Sequence, residues 1–140
     1  MASPDAAPTP RARPLSPHLF IYRPTMTMAM SIVHRITGGA LYVGVLLLAW
    51  FLLATSMDAA AFGVASGFLN SILGRLILFG FTWALFHHML GGIRHFIWDA
   101  HYGMDDPQRE WLAMGTLIGG LVLTVVVWAI GFAILPPGSD

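Results

Sequence analysis

Residues Phe86–Gly103 read FHHMLGGIRHFIWDAHYG. The stretch lies in one of the most apolar parts of the chain, yet it carries four of the six histidines together with Arg94 and Asp99. Its surroundings define the problem. The 140 residues are 56% hydrophobic and 10% charged, with a mean hydropathy of +0.71. Soluble domains carry about 25% charged residues, so the composition is that of a membrane protein. Lysine and cysteine are both absent. Disulfides, thiolate metal sites and cysteine nucleophiles are therefore excluded. Seven arginines balance seven acids, and no basic tract suggests nucleic acid as a partner.

Working outward, three segments are long enough to cross a bilayer, which takes about 20 apolar residues. Ile36–Met57 and Leu112–Leu135 contain no charge, and Leu76–Trp98 is interrupted only by the polar groups of the opening stretch. An all-α protein of three transmembrane helices follows, because a lipid-exposed span must satisfy its own backbone hydrogen bonds. The spans are expected at about 31–57, 74–99 and 111–135. A 1–30 N-terminal arm and interfacial segment precedes the single 31–140 membrane domain, and LPPGSD ends the last helix. Ser56–Gly74 and Ala100–Trp111 read as loops. MASPDAAPTPRARP lacks the apolar core of a secretory signal.

Arginine sets the orientation. Arg11, Arg13, Arg23, Arg35, Arg94 and Arg109 fall at one end of a three-span bundle and only Arg75 at the other. The N-terminus is thus expected in the cytoplasm and the C-terminus outside. Trp98, Tyr102 and Trp111 flank the inner loop as interfacial anchors do.

This orientation brings two polar clusters to the cytoplasmic side: Ser31, His34 and Arg35 at the start of the first helix, and the opening stretch at the end of the second. Ionisable groups within a membrane usually face a bundle interior or a functional cavity. The second helix has two polar stripes. Leu85, His88, Gly92, His95 and Asp99 form one; Gly80, His87, Gly91 and Arg94 form the other. On the first, His88 and His95 stand about 10 Å apart along the axis, with Gly92 clearing the surface between them. A flat anionic cofactor such as a b-type haem suits that face: an axial imidazole, a cleared bed and donors for propionates. Asp99 could fix a ring tautomer. Plainer readings exist. A membrane histidine often serves only as an interhelical hydrogen bond, Gly91–Gly92 suits close helix packing, and Arg35 and Arg94 could snorkel to the interface. Spacing alone does not choose between His87 and His88.

RPLSPHLFIYR (Arg13–Arg23), SIVHRITGG (Ser31–Gly39) and HMLGGIRHFIWD (His88–Asp99) resemble the cytochrome b membrane-anchor subunit of succinate dehydrogenase, the large anchor of respiratory complex II, in its alphaproteobacterial and mitochondrial branch. The likeness runs from Arg13 to about Leu135. It implies half of a heterodimeric helical bundle, completed by a second small anchor, that docks an iron–sulfur subunit and a flavoprotein in a bacterial inner membrane. It implies a haem b shared between the anchors, with His88 as one axial ligand and the partner supplying the other. It implies Ser31 and Arg35 in the ubiquinone site, and His34, Arg35 and His95 near the haem propionates. His87 lies outside the pattern. No residue of this chain is catalytic for succinate; the subunit is non-catalytic on its own. The depth of His88 within its helix places haem and quinone sites as neighbours at different depths. A purely structural anchor without a functional haem, or a cytochrome b subunit of another quinone-linked oxidoreductase, are the alternatives.

Overall fold

The computed structural model describes residues 23–134. Most of the N-terminal arm, including Arg13–Tyr22 of the first motif, and the LPPGSD terminus lie outside them. The described residues form four helices: α1 (Met26–Met57), α2 (Ala59–Asn70), α3 (Ile72–Asp99) and α4 (Asp106–Ile134). Helices α1, α3 and α4 are long and apolar enough to cross a membrane.

The long helices extend beyond their apolar stretches because polar residues cap them. Thr25 accepts the Met28 N–H before α1. Ser71 accepts the Gly74 N–H before α3 and itself donates to the Phe68 carbonyl. Such caps satisfy the orphan donors of a first turn. Helix α2 was not expected: Ser56–Gly74 reads as a loop. Its Ala-rich, uncharged sequence has helical propensity but is too short to span a membrane. Asp58 caps it through the Ala61 N–H at 2.7 Å, and it packs on α1 through Phe62 against Phe51 and Phe68 against Trp50. Gly74 has no room for a side chain, since a Cβ there would enter the Phe68 carbonyl and Leu69 backbone.

The bundle is built with small residues inward. Its buried positions include Thr37, Gly44 and Ala54 on α1, Ala84 and Gly91 on α3, and Ala113, Thr116, Gly120 and Thr124 on α4. Large side chains such as Leu46, Leu53, Leu121 and Val125 point outward. Lipid gives helices no hydrophobic reason to associate, so close backbone approach and interhelical hydrogen bonds do the work. Phe81 of α3 lies over Gly44 of α1, and the α3 backbone at His87 runs against Gly120 of α4. Trp128 of α4 donates its indole N–H to Thr82 at 3.2 Å and packs edge-on to Phe79.

The α3–α4 turn closes in few residues. His101 and Gly103 adopt positive φ, 64° and 70°. Glycine takes this conformation freely and histidine at a cost. The Trp98 indole N–H, donating to the Gly103 carbonyl at 3.2 Å, helps hold the turn, and Arg109 pairs with Asp106 in the first turn of α4.

Candidate functional site

The two polar stripes of α3 point different ways. His87, Gly91 and Arg94 are buried, facing the chain's own bundle. Leu85, His95 and Asp99 are exposed, His88 is half-buried, and a Cβ added at Gly92 would meet nothing. The second stripe from His87 to Arg94 is thus taken up by packing, and the first is largely exposed.

His87 belongs to the packed stripe. Its Nδ1–H donates to the Thr116 carbonyl of α4 at 3.3 Å, its ring stacks on Trp83 and it is 1% exposed. This is the interhelical hydrogen bond that membrane histidines commonly supply.

His88 is held differently. Its Nδ1–H donates to the His34 carbonyl of α1 at 3.1 Å, with the Thr37 hydroxyl oxygen a longer 3.5 Å away. Thr37 donates its own hydroxyl to the same carbonyl at 2.9 Å. In return the His34 Nε2–H donates to the His88 carbonyl at 3.2 Å. Carbonyls only accept, so these contacts fix the proton on Nδ1 of His88 and on Nε2 of His34. The two rings stack, with centroids 4.0 Å apart and planes 5° from parallel. Small residues make the fit possible. The Gly38 backbone lies against the His88 ring, where a Cβ would come to 3.0 Å of Cε1, and the His34 ring occupies the space a side chain at Gly91 would need.

The chemical consequence concerns Nε2 of His88. A backbone carbonyl on Nδ1 orients the imidazole and leaves the Nε2 lone pair as a metal donor, the usual outer-shell support of a ligating histidine. Among the described residues no group of three or more His, Cys, Asp or Glu could hold a bare metal ion. One oriented imidazole on a cleared stripe instead suits a metal that brings most of its ligands with it.

His95 joins this cluster, edge-on to His34 at 5.5 Å and to Trp98 at 5.4 Å. Ser31 and Arg35 are exposed, on the flank of α1 beside His34. The structure thus brings His34, His88 and His95 together and leaves Ser31 and Arg35 facing outward next to them. Two expectations change. His34, between Ser31 and Arg35 in the chain, is level with His88, so the separation in depth expected between the two sites is at most about one helical turn. Antiparallel α1 simply enters the bundle deeply enough for its third turn to meet the middle of α3. Arg94 does not snorkel: it is 2% exposed, its guanidinium carbon 5.0 Å from the centre of the Trp98 ring. Thr37, Gly38 and Gly91 were not singled out as supports of His34 and His88. Their signal was faint, namely small residues one turn from each histidine.

Comparisons with known proteins place the chain in a family. The family model described as succinate dehydrogenase/fumarate reductase transmembrane subunit matches residues 9–130. The chain is 41% identical over 120 residues to a succinate dehydrogenase cytochrome b556 subunit of Paracoccus denitrificans, covering 86% of this chain and 92% of the relative. It is 34% identical to the subunit of that name in Rickettsia conorii, over 83% of this chain and 90% of the relative. It is 42% identical to a mitochondrial succinate dehydrogenase cytochrome b560 subunit of Sus scrofa, over 81% and 66%.

Proposed function

Because the chain belongs to the succinate dehydrogenase/fumarate reductase transmembrane subunit family, we propose that it is the cytochrome b membrane anchor of a succinate:ubiquinone oxidoreductase, holding a haem b through His88 and forming part of the quinone site with Ser31 and Arg35. The observation that carries this reading is the His88 imidazole, fixed by the His34 carbonyl with Nε2 unengaged on an open stripe of α3.

The donor set fits a haem. His88 would hold the iron of a haem b from this chain, and a second anchor subunit would supply a further ligand. His34, level with His88, and His95 stand within ring contact of each other beside it, and they would serve as donors to the propionates. Arg35 is a cation on the neighbouring flank. The haem, when bound, accepts and releases one electron at a time.

The rest follows from this chain's own groups. A quinone presents two carbonyl oxygens that gain negative charge on reduction. The Ser31 hydroxyl donates to one such oxygen. Arg35 stabilises the developing charge without itself releasing a proton. Both are exposed, hence free to face a substrate and the subunit that delivers electrons. Quinone reduction also consumes two protons, and neither residue is suited to give them. Water or the partner subunits must do so.

On this reading the bundle lies in a bacterial inner membrane, and the distribution of arginines supports an N-terminus in the cytoplasm. The iron–sulfur and flavoprotein subunits dock at that end. Succinate is oxidised in the flavoprotein, and this chain contributes anchoring, haem and quinone chemistry.

The test is a dithionite-reduced minus oxidised spectrum of the purified complex. Bands of a low-spin b-type haem, stoichiometric with this subunit, are expected. An assembled, succinate-oxidising complex without them would reduce this chain to a structural anchor.

A further inference from the structure

Arg94 is the only buried arginine among the described residues, and nothing in the function above uses it. Its Nε and Nη1 are buried without a hydrogen-bond partner there. The ion pair found among those residues, Arg109–Asp106, lies elsewhere. Asp99, Asp105, Asp106 and Glu110 near this end are exposed, where solvent screens them. The Trp98 ring face attracts the guanidinium but carries no charge to cancel it. Since a guanidinium stays protonated across the physiological range, Arg94 keeps a full positive charge inside the bundle with no acidic partner among the described residues. An unpaired buried charge is costly, and charges within membrane bundles are usually functional.

Arg94 follows His88 by six residues, about 9 Å along the axis of α3. A unit charge roughly 10–15 Å from a redox group, through an effective dielectric of about 20, changes an equilibrium by about tenfold. A positive charge favours the form that has gained an electron.

We propose that the unpaired charge of Arg94 raises the electron affinity of the redox group bound at His88. The inference rests on the assignment of a haem to His88 made above. It gives Arg94 an electrostatic role that packing alone would not require.

A second position offers an independent handle. The His34 ring sits on Gly91, and α1 and α3 run antiparallel. Seven residues before His34 is Thr27, and seven after Gly91 is Trp98, each on the same stripe of its helix. Thr27 therefore falls at the level where Arg94 lies over Trp98. Its hydroxyl oxygen is also buried without a partner among the described residues. An aspartate there would neutralise Arg94 without removing it.

The experiment is a spectroscopic redox titration of the haem in the membrane-bound complex, comparing wild type with Arg94→Gln, Arg94→Lys and Thr27→Asp. Arg94→Gln should lower the midpoint by about 59 mV, the one-electron equivalent of a tenfold change. Thr27→Asp should move it in the same direction, and Arg94→Lys should keep most of the wild-type value. Unmoved midpoints in Arg94→Gln and Thr27→Asp overturn the inference. So does an equal fall in Arg94→Lys, which would mark a packing effect of the guanidinium. Should Arg94→Gln not assemble, Thr27→Asp decides. A wild-type complex without b-type bands overturns the assignment of His88 and this inference with it. A normal wild-type spectrum with unmoved midpoints overturns the inference alone.

Discussion

His34 and His88 exchange hydrogen bonds: each ring donates to the backbone carbonyl of the other residue, at 3.2 and 3.1 Å, and the rings stack between the two helices. The pair fixes α1 against α3 and fixes the tautomer of His88 in the same contact. A change that dislodges His34 should therefore disturb both packing and ligand geometry.

Gly91→Ala is such a change. The added methyl would enter the His34 ring, which cannot turn away without losing its bond to the His88 carbonyl. Overpacking of this kind costs about 1–3 kcal/mol. Gly39→Ala meets nothing and should gain up to about 1 kcal/mol from helix propensity. Thermal unfolding of the detergent-solubilised complex should be lowered by the first and not by the second. Equal behaviour of the two would mean that His34 does not occupy the Gly91 cradle.

Ser31 and Arg35 should affect quinone reduction while sparing the chemistry of the soluble subunits. Losing a neutral hydrogen bond costs about 0.5–1.5 kcal/mol and a charge-assisted one about 1.5–3. Ser31→Ala should thus slow succinate–quinone turnover modestly and Arg35→Ala more severely. Succinate oxidation by a soluble dye should persist in both. Parallel losses in the two assays on an intact complex would remove these residues from the quinone site.

The three long helices were legible in the sequence because a bilayer demands length and apolarity, and both can be counted. Helix α2 was not, because Ala59–Asn70 is apolar without a membrane-spanning length, and its stretch Ser56–Gly74 reads as a loop although Asp58 and Ser71 within it cap helices. At the site, the opposition of His87 and His88 turns on which flank of α3 meets α4. That depends on Gly120 admitting the α3 backbone, a tertiary fact with little local signature. The level of His34 with His88 was missed for the same reason: depth counted from helix ends ignores how far each helix reaches past its apolar stretch. For Arg94 the sequence left snorkelling open beside an inward-facing place on its polar stripe, and which of the two holds depends on how α3 packs.

The arginine distribution predicts that a reporter fused after Asp140 is active only outside the cytoplasm. Cytoplasmic activity at that position would reverse the bundle and move His34, His88 and His95 to the outer side, away from the soluble subunits.

The central claim is that His88, and not its neighbour, binds the haem. The direct measurement is the reduced-minus-oxidised spectrum of membranes carrying His88→Ala or His87→Ala, with subunit levels checked in the same samples. The account predicts that His88→Ala loses or strongly perturbs the b-type bands. His87→Ala, which gives up a hydrogen bond to Thr116 and contact with Trp83, should keep them while lowering thermal stability. Loss of the bands in His87→Ala with retention in His88→Ala would contradict it.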